Sequence, residues 1–85
     1  MFEFDPAKSG ANRVKHGIDF VEAQALWLDP SRLAIRSFSA DEGRWLVIGK
    51  IGDRHWTAIH GFRSEAIRII SVRRARNEVK GYDGR

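Results

Sequence analysis

Arginine is the residue type in this sequence with the greatest capacity for chemistry, and it is concentrated towards one end. Residues 1–59 contain eight basic and eight acidic residues, whereas residues 60–85 contain seven basic residues, six of them arginine, and three acidic ones. Arginine binds phosphate oxygens through paired hydrogen bonds and stacks on bases, which lysine does not do. The pattern favours a polyanion-binding surface, most simply for nucleic acid. A solvated basic face, or an interface for an acidic protein, would explain it equally.

The sequence excludes several other kinds of site. The chain has no cysteine, which rules out disulfides and thiolate metal ligands. Its three histidines, His16, His55 and His60, lack the spacing of a metal motif. There is no phosphate-binding glycine loop and no nucleophile elbow, so covalent catalysis has no evident nucleophile. We therefore expect no metal and no cofactor.

RNA cleavage is a chemistry that needs neither a metal nor a covalent intermediate, because RNA carries its own nucleophile in the 2′-hydroxyl group. The enzyme has to orient that group, stabilise the charge of the phosphorane and protonate the leaving 5′-oxygen. The arginines suited to stabilising that charge are Arg63, Arg68 and Arg73. The residues that could move protons are Glu78, His16 and His60. Tyr82 could stack on a base or bind a phosphate.

These residues also have structural explanations. His16 could interact with the negative end of a helix dipole, and Glu78 could pair with Arg74 one helical turn away. The three tryptophans are expected in the core or on a hairpin face and not on a base-stacking surface. Arg73 is the hardest residue to explain in structural terms, because it ends the last predicted strand.

The elements that must position these residues begin with a short strand and two helices. Residues 2–4 alternate apolar and acidic side chains, which predicts a strand. A helix is predicted from Pro6 to about His16, because Asp5 is a typical N-cap and Gly17 a typical helix end. A capping-box pattern opens a second helix, predicted over residues 19–29.

Four strands and a terminal helix complete the predicted fold. The strands are predicted over residues 33–38, 44–51, 54–62 and 66–73, and a basic helix over residues 74–82. The connections are short, so neighbouring strands should be antiparallel. The order β-α-α-β-β-β-β-α predicts an α+β fold with helices packed on one face of a mainly antiparallel sheet. Arginines occupy both parities of the last strand, and a β-bulge near residues 69–71 would bring them to one face.

The length and hydropathy of the chain limit its organisation. Residues 1–85 are too few for two separately cored halves, so we expect a single domain. The N-terminus lacks the pattern of a signal peptide, and no apolar run approaches the length of a membrane span. We expect a soluble, cytoplasmic protein that does not associate with membranes.

Three spaced motifs run through the chain. The first is Phe2-Glu3-Phe4-Asp5-Pro6-x-Lys8 with Asn12-x-x-Lys15-His16-Gly17-x-x-Phe20-x-x-Ala23. The second is Arg44-Trp45-x-x-Ile48-Gly49, and the third is Ile67-Arg68-Ile69-Ile70-Ser71-x-Arg73-x-Ala75 followed by Glu78 and Tyr82. Together, and in this order, they resemble the BrnT family of toxins over essentially the whole chain.

The resemblance implies a RelE-like fold and the toxin of a type II toxin–antitoxin system, a metal-independent endoribonuclease that inhibits translation. It implies an RNA substrate and a BrnA-like ribbon-helix-helix antitoxin, the two proteins forming a heterotetramer that binds its own promoter DNA. The residues expected to be catalytic are Arg63, Arg73, Glu78 and His16. The residues expected to bind RNA are Lys8, Arg44, Arg68, Arg74, Arg76 and Tyr82.

The sequence departs from the family pattern near its last helix. BrnT proteins commonly carry arginine after the glutamate that precedes the final tyrosine, whereas Val79 follows Glu78 here. Loss of that arginine would weaken RNA contact unless Arg76 replaces it. The alternative function is a non-catalytic component of an autorepressor complex that binds nucleic acid or the antitoxin, although the sequence has no helix-turn-helix pattern.

Overall fold

The computed structural model describes residues 1–37 and 43–82, and its five strands form one sheet. The strands are β1 (Phe2–Glu3), β2 (Leu33–Arg36), β3 (Trp45–Ile51), β4 (Arg54–Arg63) and β5 (Ala66–Arg74). The helices are α1 (Pro6–His16), α2 (Phe20–Ala23) and two 3₁₀ helices, Gln24–Leu28 and Asn77–Gly81. In the sheet order β1-β5-β4-β3-β2, β1 is parallel to β5 and every other pair is antiparallel. The predicted α+β class and element order are confirmed.

Helix α1 begins and ends at the residues that the sequence predicts. The carboxylate of Asp5 accepts a hydrogen bond at 2.9 Å from a first-turn amide, and Pro6 occupies the first helical position, where no N–H is needed. Gly17 ends the helix with a φ of 82°, a left-handed conformation that glycine adopts without strain. The predicted second helix also starts at its capping box, but it tightens after Ala23 into the first 3₁₀ helix.

A buried amide joins α1 to the edge of β5. The side chain of Asn12 donates to the Val72 carbonyl at 3.0 Å and accepts from the Val72 amide at 3.1 Å. It also donates to the Ile18 carbonyl at 2.8 Å. Because β1 pairs only with Ile67 and Arg68, Asn12 satisfies backbone groups of β5 that lie beyond the end of β1.

The main core lies between the helices and one face of the sheet, as predicted. The buried apolar residues are Ile18, Phe20, Ala23, Leu26, Val47, Trp56, Ala58, Ile69 and Val72. A Cβ atom at Gly49 would lie 3.0 Å from Leu26 Cδ2, so the missing side chain allows the first 3₁₀ helix to approach β3. Among the described residues, no helix is long and apolar enough to span a bilayer.

The predicted bulge is present in β5. Two consecutive residues of β4 pair with Ser71 and Ile69, so Ile70 has no partner across the β4–β5 ladder. The extra residue reverses the alternation that follows it. Arg68 and Arg73, although five residues apart, therefore lie on the same face of the sheet, opposite the helices. We call this the open face.

The C-terminal segment differs from the predicted basic helix over residues 74–82. Arg74 still belongs to β5, and Asn77–Gly81 is a 3₁₀ helix that crosses the open face. At its far end, a Cβ atom at Gly81 would lie 2.8 Å from Leu33 Cδ2. An isolated helix of this length is marginal, and contacts with the sheet fix the tighter turn instead. At β2, the predicted strand ends at Arg36, and residues 38–42, including most of the predicted turn, lie outside the described residues.

Candidate functional site

The open face brings together four of the predicted arginines. Arg68 and Arg73 come from β5, on either side of the bulge. Arg63 is the last residue of β4 and lies two residues after Gly61, so it is on the same face of the sheet as Gly61 and its partner Arg68. The guanidinium group of Arg44 lies over Gly61: a Cβ atom added to Gly61 would be 3.3 Å from Nη1 of Arg44. Four cations from three segments of the chain therefore share one surface.

Glu3 of β1 forms ion pairs with two of these arginines. Nη1 of Arg68 donates to Oε1 of Glu3 at 3.1 Å, and Nη1 of Arg63 lies 3.8 Å from the same oxygen. The side chains of Arg68 and Arg63 remain 39% and 72% exposed. Exposed pairs of this kind contribute little to stability, so both guanidinium groups can exchange Glu3 for an incoming anion at low cost.

Three donors converge on a single oxygen of Glu78. Its Oε2 accepts from Nη1 of Arg73 at 2.6 Å, from Oγ1 of Thr57 at 2.7 Å and from the backbone amide of Arg76 at 3.0 Å. Thr57 is fully buried, and the side chains of Arg73 and Glu78 are only 18% and 15% exposed. We call Thr57, Arg73 and Glu78 the Glu78 clamp.

The clamp keeps Glu78 ionised. Burial acts to raise the pKa of Glu78, but the hydrogen bonds from Arg73, Thr57 and the Arg76 amide outweigh it and lower the pKa to about 2. At neutral pH the carboxylate is therefore a fixed acceptor that orients the Arg73 guanidinium. Nη1 of Arg73 also donates to the Arg74 carbonyl at 3.1 Å, which further limits its movement.

The structure separates Arg74 and Arg76 from the arginines of the open face. Arg74 lies on the core side, with its guanidinium carbon 5.5 Å from the centroid of the buried Trp56 ring. The expected pairing of Glu78 with Arg74 is therefore wrong, because β5 extends through Arg74 and no helical turn joins the two residues. Arg76 is exposed and contributes its amide to the clamp.

Lys8 and His16 lie on α1, outside the open face. Lys8 is exposed, and in the part of the chain that the structure describes the His16 side chain has no hydrogen-bond or ion-pair partner. The structure thus does not bring these two predicted site residues to the arginines.

His60 faces the core. Its ring centroid lies 5.3 Å from those of both Trp27 and Phe62, and burial lowers the pKa of the imidazole. Within residues 1–37 and 43–82, its Nε2 has no hydrogen-bond partner. His60 is therefore a neutral core residue on the side of the sheet opposite to the arginines.

Tyr82 anchors the far end of the C-terminal segment. Its hydroxyl group donates to Oδ2 of Asp29, which also accepts from the Lys50 amide at 2.9 Å. The hydrogen bond to Asp29 raises the pKa of Tyr82 to about 12, and the same bond is the main reason why the pKa of Asp29 is lowered. The Tyr82 ring packs edge-to-face on His55, with centroids 5.0 Å apart. The predicted RNA-binding residue thus has structural partners at both its ring and its hydroxyl group.

Thr57 and Gly61 are parts of this surface that sequence reasoning missed. Thr57 interrupts an otherwise apolar stretch of β4, and its polarity was the available signal for a partner on the open face. Gly61 in a strand interior signals a close approach, here by Arg44. Among the described residues, no three histidine or carboxylate side chains are grouped so that they could hold a metal ion.

The α+β fold presents arginines on an open sheet face, one of them oriented by a largely enclosed carboxylate, and such a surface has the chemistry to bind a polyanion. Comparison with protein families identifies the family within this fold class. The chain belongs to the BrnT family of ribonuclease toxins of type II toxin–antitoxin systems, whose family model matches residues 4–78. The resemblance that the three motifs indicated is confirmed. No curated protein shows a significant match to the chain.

Proposed function

We propose that this chain is a toxin that cleaves RNA endonucleolytically and without a metal ion. The observation that carries the proposal is the Glu78 clamp, which holds Arg73 in one orientation on a face with three further arginines. Preorganised cations in a partly enclosed site stabilise developing negative charge more effectively than solvent does. The family supports RNA as the polyanion.

In the proposed reaction, the 2′-oxygen of a ribose attacks the adjacent phosphorus and the bond to the 5′-oxygen breaks. The products are a 2′,3′-cyclic phosphate and a free 5′-hydroxyl group. Arg73 stabilises the extra charge on the phosphorane. Arg63 lies six residues along β4 from Thr57, the partner of Arg73, and binds a more distant phosphate of the RNA. The 2′-hydroxyl group gives its proton to water, and the leaving 5′-oxygen takes a proton from water.

The Glu78 clamp favours a positioning role for Glu78 over the transfer of protons. A carboxylate with a pKa of about 2 is a weak base at neutral pH, and its Oε2 is already occupied by three donors. The sequence also predicts His16 as a proton carrier, but α1 holds this residue outside the open face, so we assign it no role in the reaction at Arg73. A His16→Ala variant tests this assignment: the proposal requires unchanged RNA cleavage and unchanged RNA binding.

The cellular part of the proposal follows from the family. Residues 1–85 form one toxin domain that acts in the cytoplasm, where RNA cleavage inhibits translation. A BrnA-like ribbon-helix-helix antitoxin neutralises it, and the resulting heterotetramer binds its own promoter. A basic open face suits an acidic segment of such an inhibitor, which would cover the arginines directly.

Expression of the chain alone tests the proposal. We expect growth arrest and loss of total RNA integrity, both relieved by Arg73→Ala and by Arg63→Ala. Arg54→Ala is the matched control, because Arg54 is an exposed arginine at the opposite end of β4 from Arg63. Normal growth with intact RNA, from folded and well-expressed protein, would support the non-catalytic alternative.

A further inference from the structure

A second cationic position exists on the open face, at a distance from Arg73. Gly61 of β4 pairs with Arg68 of β5, and Arg44 approaches Gly61 from the β3 side. A Cβ atom at Gly61 would lie 3.3 Å from both Arg44 Nη1 and the Gly43 carbonyl oxygen. Because Gly61 has no side chain, the Arg44 guanidinium group can lie directly over its backbone, on the face that carries Arg68. We call Arg44, Gly61 and Arg68 the Gly61 cradle.

Within the described residues, the cradle carries more positive charge than its neighbours neutralise. Arg68 is paired with Glu3, which it shares with Arg63. Arg44 has no ion-pair partner among residues 1–37 and 43–82. Guanidinium groups from neighbouring strands suit the paired oxygens of a phosphodiester, which each can bind through two hydrogen bonds.

The distance from the cradle to the Glu78 clamp is set by β4. Gly61 pairs with Arg68 and Thr57 pairs with Arg73, so four residues of β4 separate the two positions. At about 3.3 Å per residue, this is about 13 Å. That length allows an extended nucleic-acid strand to place at least one whole nucleotide between two bound phosphates.

The surface between the two positions is mainly apolar. Leu46, Ile59 and Ser71 form one row across β3, β4 and β5, and all three are partly exposed. An unpaired base can bury its flat face on such a row, whereas a duplex keeps its bases stacked inside and presents only backbone.

We propose that the Gly61 cradle is a second phosphate subsite and that RNA is held as an unpaired strand between it and Arg73, with a base on the row formed by Leu46, Ile59 and Ser71. This inference rests on the proposed RNA-cleaving function. It adds a subsite, a minimum length of strand and a requirement for unpaired substrate.

Fluorescence anisotropy with a labelled 2′-O-methyl RNA hexanucleotide tests the inference, because the blocked 2′-oxygen prevents cleavage. We expect Arg44→Ala and Arg68→Ala each to weaken binding about tenfold, as loss of a charge-assisted hydrogen-bonded contact does. Each should also reduce the slope of log K against log salt concentration by about 0.7, the value for one phosphate contact with a single strand. Arg54→Ala is the matched control and should change neither quantity by more than about a third of these amounts.

Two further measurements complete the test. Gly61→Ala keeps all the charges but displaces Arg44, and should weaken binding several-fold in a chain that remains folded. A self-complementary duplex of the same 2′-O-methyl chemistry should bind at least about tenfold more weakly than the single strand. Circular dichroism verifies that each variant is folded, and Arg44→Lys, which retains charge without the paired geometry, replaces Arg44→Ala if that variant unfolds.

The outcomes separate the inference from the proposed function. Wild-type cleavage of unblocked RNA, together with cradle variants that bind like Arg54→Ala, would overturn the cradle and leave the ribonuclease proposal intact. Equal binding of duplex and single strand would overturn the requirement for an unpaired strand. A wild-type chain that neither binds nor cleaves RNA would overturn both.

Discussion

Acid should weaken this fold through the protonation of Glu78. Three donors on one carboxylate oxygen lower the pKa of Glu78 from 4.5 to about 2. A group whose pKa is lower in the folded chain than in the unfolded chain stabilises the fold at pH values above its unfolded pKa. That contribution is lost as the pH falls from 4.5 towards 2.

The size of the effect follows from the shift. One pKa unit corresponds to about 1.36 kcal/mol, so ionised Glu78 contributes about 3 kcal/mol to the free energy of unfolding at neutral pH. Its side chain is only 15% exposed, so solvent screens the clamp little. At about pH 3.5, with the two pKa values above, about 1.4 kcal/mol of that contribution has been lost.

Urea unfolding followed by tryptophan fluorescence measures the effect at about pH 7 and about pH 3.5. The variant is Glu78→Gln, which has nearly the same shape but no charge. The difference in unfolding free energy between wild type and Glu78→Gln should shrink by about 1.4 kcal/mol between these pH values. A difference that stays constant with pH would show that the clamp does not lower the pKa of Glu78. Glu65→Gln is the control, since Glu65 is exposed and has no ion-pair partner within the described part of the chain.

Three further perturbations test other contacts. Thr57→Val removes one donor to Glu78, so it should lower the unfolding free energy by about 1 kcal/mol and slow RNA cleavage. Thr57→Ser should restore both. Unchanged cleavage by folded Thr57→Val would contradict the positioning role of the clamp. Asn12→Ala should lower the unfolding free energy by about 2–3 kcal/mol, because it leaves buried groups of Val72 without partners, and a loss below about 1 kcal/mol would show that water replaces the amide. Tyr82 is the only tyrosine, so its ultraviolet absorbance reports its ionisation directly, with an expected midpoint at about 12. Asp29→Asn should lower that midpoint, and an unchanged midpoint would show that Asp29 is not the acceptor.

Features determined by local interactions could be predicted from the sequence. Both ends of α1 are set by residues that act within a few positions, namely Asp5, Pro6 and Gly17, so the sequence predicts where the helix begins and ends. The bulge at Ile70 was also predictable, because without it Arg68 and Arg73 would lie on opposite faces of the sheet. The family followed from spaced motifs, and the family model confirms it.

Features determined by distant contacts could not be predicted in the same way. Glu78 meets Thr57 across 21 residues of sequence, and this contact draws the C-terminal segment across the open face. The four-residue spacing of Arg74 and Glu78 suggested that they pair on a helix. Spacing alone contains no information about the crossing, which depends on the distant contact with Thr57. His60 likewise appeared to be a candidate for proton transfer until its strand alternation placed it beside Trp27 in the core.

The most direct test of the central claim is the chemistry of the cleaved RNA end. Purified chain is incubated with a single-stranded RNA in excess EDTA, and the products are identified by mass spectrometry, with Arg73→Ala and Arg54→Ala alongside. We expect cleavage in EDTA by wild type and Arg54→Ala, leaving a 2′,3′-cyclic phosphate and a 5′-hydroxyl group, and strongly reduced cleavage by Arg73→Ala. Cleavage that requires a divalent cation, or that leaves a 5′-phosphate, would contradict it.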